Sequence, residues 1–254
     1  MSVDLSGHAI RVVLLDIEGT TTPIAFVHEV LFPYARAHLA AFLRAPASAP
    51  TVTEVRRLLT AEYADDLSRG APVPPGPPTS IEALEAYATW LMDRDRKSQG
   101  LKLLQGEIWE QGYQAGELRG QVFADVPDAI RRWHRAGLRV AIYSSGSELA
   151  QRRLFESTKQ GDLTPLILAF FDTRMGAKVD PRSYGRIATA LGVPPTAIVF
   201  VSDVTAELAA ARGAGLEVVL SVRPGNSPQP DGTAYPRVES LDQLDPVAFR
   251  PDPQ

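Results

Sequence analysis

The chain has 254 residues, 44% of them hydrophobic and 22% charged, with a formal net charge of -4, so it can bury one large core or two modest ones. An acidic balance with no basic stripe excludes nucleic acid as a partner, and no apolar run approaches the roughly 18 residues that a membrane span needs. With no cysteine there is no disulfide, no thiolate nucleophile and no sulfur-ligated metal.

The N-terminus, MSVDLSGH, has no basic start followed by an apolar core, so no secretory signal is expected and the protein reads as cytoplasmic. Residues 12–15, VVLL, form a short apolar, largely β-branched run of the kind found in buried strands. The run ends on Asp16, places Glu18 two residues on, and breaks into Gly-Thr-Thr-Thr-Pro. Such an ending delivers two carboxylates and a chain reversal rich in hydroxyls and exposed amides.

Residues 25–120 have another character. Apolar residues recur at helical spacing over 26–43, 52–67, 81–93 and 101–118, with no convincing strand among them. The stretch APVPPGPPTS at 71–80 is too proline-rich for a helix and reads as an extended linker. This predicts an all-helical insertion after the first strand, with a core made of 1–24 and 121–254 and a helical cap domain made of 25–120. Arg94, Lys97, Lys102 and Gln105 cluster near the start of the last cap helix, where they make either a solvated face or a lid over a ligand.

From residue 121 onward strand and helix alternate. Strands are predicted at 138–143, 198–201 and 218–222, more weakly at 166–171, and helices at 126–136, 148–156, 181–191 and 206–213. A final short strand and helix follow the stretch RPGNSPQPDG. The alternation predicts an α/β fold, a doubly wound parallel sheet covered on both faces.

Ligands of such sheets bind beyond the carboxyl ends of the strands, so strand endings are where chemistry is sought. They present Asp16 and Glu18, then Ser144 and Ser145, then Ser202, Asp203 and, one helical turn on, Glu207. Lys178 precedes the helix that begins near Pro181. Taken singly, each has a bland explanation, since Asp and Ser cap helices and lone lysines sit on surfaces. The ordered set, each member on a strand-to-helix junction, suits phosphoryl transfer. Scattered histidines (His8, His28, His38, His134) and the lack of cysteine leave oxygen to hold any metal, which points to Mg²⁺. Asp16 and Asp203 can hold it while Lys178 neutralises a second phosphate oxygen. Ser144 and Ser145, with amides at a helix start, can cradle the rest. Asp16 can then attack phosphorus, with Glu18 exchanging protons with the leaving oxygen and the hydrolytic water.

A strand ending D-x-[DE]-G-T, a strand ending in Ser, a Lys, and a strand ending in Asp resemble the haloacid dehalogenase-like hydrolases. LLDIEGTTTPIAFVHEVLFPYA, DRK with LKLLQGEIW, FADVPDAIRRW, IYSSGSELAQRRLF and VRPGN resemble, more narrowly, their acireductone synthase (enolase-phosphatase) family of methionine salvage. The resemblance implies enolisation of 2,3-diketo-5-methylthiopentyl-1-phosphate followed by Mg²⁺-dependent dephosphorylation to the acireductone. It implies one Mg²⁺ per chain on Asp16, Glu18 and Asp203, catalysis by Asp16, Glu18 and Lys178, and substrate contacts from Ser144, Ser145 and Lys178. A monomer acting on a small phosphorylated diketone is expected. The alternative is a generic phosphatase of the same superfamily with another small ester as substrate. A signalling receiver domain fits poorly, because its acceptor Asp sits mid-chain and it carries no helical insertion.

Overall fold

The computed structural model describes residues 10–96, 98–228 and 235–244; Lys97 and His8 lie outside the described residues. By contact density the chain divides into two compact units, Met1–Val27 with Arg119–Gln254, and His28–Leu118.

The first unit is built on six strands among the described residues: β1 (Val12–Leu15), β2 (Arg139–Tyr143), β3 (Ala169–Phe171), β4 (Ile198–Ser202), β5 (Glu217–Ser221) and β6 (Arg237–Val238). They lie in the order β3-β2-β1-β4-β5-β6, and every neighbouring pair is parallel. β1 is fully buried and alternates between two faces. Val12 and Leu14 join Phe200, Val218 and Leu220 against the helices Pro181–Leu191 and Thr205–Gly213, through Tyr184, Ile187, Leu191, Leu208 and Ala211. Burying each such side chain is worth about 1.5 to 3 kcal/mol. Continuous apolar strands therefore have no solvent face, which is the sequence signature read above. β1 is central, and the chain leaves it for β2 on one side and reaches β4 on the other. This reversal of strand order opens a crevice at the carboxyl end of β1.

The second unit is helical. Its core joins Leu39, Val55, Leu59, Leu84, Tyr87, Leu104 and Ile108 from helices Phe32–Arg44, Ala49–Ser68, Ile81–Met92 and Gln99–Gln114. Ser80 and Ser98 cap the last two by accepting from Ala83 N at 3.1 Å and Leu101 N at 3.0 Å. Gly100 lets the last helix approach closely, since a Cβ there would stand 2.6 Å from Leu59 Cδ2. Among the described residues no helix is long and apolar enough to cross a membrane.

Three predicted elements differ. The helix expected over 26–43 is interrupted by a π turn at Val27–Leu31 before Phe32–Arg44 begins. Pro33 has no N–H to return to the preceding turn, so the regular ladder breaks there. The helix expected to reach 118 ends at Gln114, with Gly116 in the left-handed region. The weaker strand at 166–171 shortens to Ala169–Phe171, because Pro165 sits in a 3₁₀ turn over Thr164–Leu166.

One buried ion pair ties the segments that meet beside the β1 crevice. Arg223, with a side chain 3% exposed, donates to both carboxylate oxygens of Asp125 at 3.1 and 2.8 Å, to Thr20 O at 3.2 Å and to Glu239 O at 2.9 Å. Asp125 also accepts from Leu241 N at 2.6 Å and Ser240 Oγ at 3.0 Å. Burial alone would raise the Asp125 carboxyl, but Arg223 and the Leu241 amide bring it below the ordinary value. Its contribution to stability is therefore present above the usual aspartate range and is lost as pH falls through the lowered folded value. Asp125→Ala leaves the guanidinium buried and unpaired, and should cost about 3 to 5 kcal/mol in urea unfolding at pH 7. A loss below about 1 kcal/mol would mean that water, rather than Asp125, satisfies Arg223.

Candidate active site

Asp16 continues β1 past its last strand residue, its N–H donating to Val201 O at 3.0 Å. The residue is 4% exposed. Its Oδ1 accepts from Ile17 N at 2.7 Å and lies 2.6 Å from Lys178 Nζ, and its Oδ2 accepts from Ser202 Oγ at 3.0 Å.

The reversal that follows is closed internally. The amides of Thr20, Thr21 and Thr22 all donate to Ile17 O at 3.2, 2.9 and 2.8 Å, and Gly19 N donates to Thr22 O at 2.9 Å. Thr21 Oγ1 donates to Asp16 O at 3.0 Å. The three threonines are fully buried, so the expectation of exposed amides and hydroxyls here is corrected: the turn spends these amides on its own shape. Gly19 sits at φ +69°, and a Cβ on it would lie 2.3 Å from Asp203 Oδ2, so both conformation and space require glycine.

Lys178 is delivered from a loop. Its own carbonyl accepts from Tyr184 OH at 2.7 Å, and Ser183 Oγ donates to Ala177 O at 2.8 Å, both from the helix Pro181–Leu191. Its Nζ stands between Asp16 Oδ1 at 2.6 Å and Glu207 Oε2 at 2.7 Å. Burial would lower this ammonium, but the two carboxylates hold it above the ordinary lysine value. Lys178 is therefore charged at neutral pH.

At the end of β4, Ser202 Oγ lies 3.0 Å from both Asp16 Oδ2 and Glu207 Oε2, and with a single proton it serves one carboxylate at a time. Glu207 is raised by burial and by the charge of Asp16, against the pull of Lys178. Asp203 is raised to about 7, first by burial and then by Asp16.

Ser144 and Ser145 extend β2 on the other flank, where Leu15 is in register with Ile142. The structure separates the two serines. Ser144 is buried, its N–H donating to Phe171 O at 3.1 Å and its Oγ accepting from Gly146 N at 3.3 Å. Ser145 is exposed. The cap of the next helix is Ser147, which accepts from Ala150 N at 3.2 Å.

Of the expected residues, then, Asp16 and Lys178 are in direct contact and Asp203 feels the charge of Asp16. Glu18 is half-buried on the turn, in a backbone bridge with Thr22. Among the described residues no three His, Asp or Glu side chains gather into a cation cage. In the helical unit, Arg94 lies 4.4 Å over the Trp90 ring and Gln105 is buried. The sequence presents Ser202 and Glu207 at the end of the fourth strand without a role; the structure sets both against Asp16 and Lys178. The spacing D-x-x-x-E was the available signal, since four residues on the helix Thr205–Gly213 return a side chain to the same face.

A family model described as haloacid dehalogenase-like hydrolase matches residues 10–215. Enolase-phosphatase E1 of Synechococcus elongatus is 49% identical over 236 residues, covering 93% of this chain and 98% of that protein. The chain belongs to the haloacid dehalogenase-like hydrolases, in their enolase-phosphatase family. A longer relative in Vitis vinifera, named a probable bifunctional methylthioribulose-1-phosphate dehydratase/enolase-phosphatase E1, is 45% identical over 92% of this chain, which spans 47% of it. The solved UTR4 protein of Saccharomyces cerevisiae superposes with a TM-score of 0.72 at 33% identity, covering 93% of this chain and 100% of that one. For this enolase-phosphatase family member, an α/β fold with a parallel sheet is thus reached independently by sequence, by family and by superposition.

The donor set fits a hard divalent cation. Every candidate ligand is oxygen. Two acids, Asp16 and Glu207, contact one ammonium, Lys178, and the half-buried Asp203 feels the charge of Asp16. Beside them the buried Asn226 Oδ1 has no hydrogen-bond partner. The raised Asp203 has a consequence for stability. Its folded value is about 7 against an ordinary 3.8, so between those values the folded protein holds a proton that the unfolded chain has released. Its contribution to stability falls as pH rises across that window. In EDTA at pH 8, Asp203→Asn should melt about 3 to 6 °C above the wild type, and at pH 4 the two should coincide. Scanning calorimetry that finds the mutant less stable at both pH values would contradict the assigned repulsion.

Proposed function

We propose that this chain converts a phosphorylated 2,3-diketone, 2,3-diketo-5-methylthiopentyl-1-phosphate, to its enediol and inorganic phosphate in methionine salvage. The observation that carries this reading is the near-full-length identity to an enolase-phosphatase, joined to a buried aspartate in contact with a buried lysine. The alternative of a generic phosphatase has no comparable support.

In this reading Asp16 is the nucleophile. Lys178, the amide of Ile17 and the hydroxyl of Ser202 fix the plane of its carboxylate. One carboxylate oxygen attacks phosphorus as the bond to the substrate oxygen breaks, giving an aspartyl-phosphate. Glu18, on the turn beyond β1, gives the leaving oxygen a proton and later takes one from the water that releases phosphate. Lys178 and the Ser144 and Ser145 end of β2 bind the phosphate oxygens. Asp16 and Asp203, with Glu18 directly or through water, hold one Mg²⁺, which when bound neutralises phosphate charge that would otherwise repel an anionic nucleophile. Glu18 also serves the carbon and oxygen protons of enolisation, reaching further than Asp from the same backbone position.

The test supplies the diketone phosphate and follows enol absorbance and free phosphate together in single turnover. The wild type should form enol and then release phosphate. Asp16→Asn should cut phosphate release by at least about 1000-fold, and Lys178→Ala should cost about 3 kcal/mol in kcat/KM. Glu18→Asp should slow enol formation more than phosphate release, and Glu18→Gln should slow both. Equal slowing of the two steps in Glu18→Asp would move the enolisation base elsewhere. Phosphate release from many sugar phosphates but not from this diketone would favour the generic phosphatase.

A further inference from the structure

We propose that Asn226 is a positioning residue of the cation site, its Oδ1 accepting a hydrogen bond from a water carried by the bound Mg²⁺. This rests on the reading that Asp16 and Asp203 hold that ion.

Asn226 closes the turn after Arg223, its N–H donating to Arg223 O at 3.1 Å, with Gly225 at φ +88°. Its Nδ2 donates to Gly19 O at 2.9 Å and to Ser221 O at 3.3 Å. Two carbonyls on one side fix the amide's orientation, because a reversed amide would set its oxygen against both. Oδ1 must therefore face the other way. It is buried and has no hydrogen-bond partner. It also lies 3.0 Å from the point that a Cβ on Gly19 would occupy, and Asp203 Oδ2 lies 2.3 Å from that same point. An amide oxygen and a carboxylate oxygen thus converge on the open face of a glycine. The amide oxygen lacks a donor. No hydrogen bond from Lys178, which contacts Asp16 and Glu207, reaches it. Mg²⁺ bound by one or two carboxylates keeps several waters, and outer partners that hold such waters tune affinity.

A purely structural alternative is that Asn226 only tethers Gly19 O. Ser221 Oγ donates to the same carbonyl at 3.2 Å and so provides the control. Mg²⁺ binding to the EDTA-stripped full chain is measured by titration calorimetry, with circular dichroism to confirm folding. Asn226→Ala should weaken Mg²⁺ binding about tenfold. Asn226→Asp, which keeps an acceptor and loses the donor, should bind within about threefold of the wild type or tighter. Ser221→Ala should change affinity less than about twofold. If Asn226→Ala does not fold, Asn226→Leu, similar in size with no acceptor, takes its place. Wild-type affinity in Asn226→Ala overturns the proposal. So does equal weakening in Asn226→Ala and Asn226→Asp, or in Asn226→Ala and Ser221→Ala, which leaves only the tether. A wild type that takes up no Mg²⁺ overturns the cation reading itself.

Discussion

The site depends on one buried cation. The Lys178 ammonium, 2.6 Å from Asp16 and 2.7 Å from Glu207, sits where desolvation alone would drive its proton off. Two carboxylates reverse that, and Asp16 in turn gains a buried positive charge beside its Oδ1. An exposed ion pair of this geometry would be worth little. Here the worth lies in what it brings together: a charged lysine against a buried aspartate, next to acids raised above their ordinary range.

That arrangement is possible because two neighbouring parallel strands end together. β1 supplies Asp16, β4 supplies Ser202 and Asp203, and the helix after β4 returns Glu207 one turn later. The threonine turn closes all its amides on Ile17 and Thr22, which frees Gly19 to let Asp203 come close. Arg223 and Asn226 then grip that turn from β5's side, through Thr20 O and Gly19 O. Arg223 is itself fixed by Asp125. The positioning of the carboxylates is thus distributed over segments far apart in sequence.

Such distribution explains what could be read in advance. Strand placement was legible because strands buried on both faces are written as unbroken apolar runs, as at Val12–Leu15 and Ile198–Ser202. The contact of Asp16 with Lys178, and the nearness of Asp203 to Gly19, were foreshadowed because the strand-to-helix junctions of such a sheet gather at one end. The roles of Glu207 and Asn226 were not. Each depends on a partner fixed only by tertiary structure, Lys178 in one case and Gly19 O in the other, and neither partner is near in sequence. The π turn at Val27–Leu31 and the early end of the helix at Gln114 reflect Pro33 and Gly116 overriding an otherwise helical pattern. The threonine turn shows the opposite failure: a polar stretch reads as exposed, yet its amides are spent within the turn and its hydroxyls are buried, those of Thr20 and Thr22 without a partner.

The central claim is that Asp16, positioned against Lys178, attacks phosphorus and carries the phosphoryl group. Its most direct test is chemical trapping. Enzyme quenched in acid during turnover and treated with borohydride should yield homoserine at position 16 when the peptide is read by mass spectrometry, because borohydride reduces an aspartyl-phosphate and leaves a free carboxylate alone. Homoserine at Asp16 in turning-over wild type, and none in protein without substrate, is the predicted result. Rapid phosphate release with Asp16 unmodified at every quench time, or modification at another carboxylate such as Asp203 or Glu207, would contradict the account.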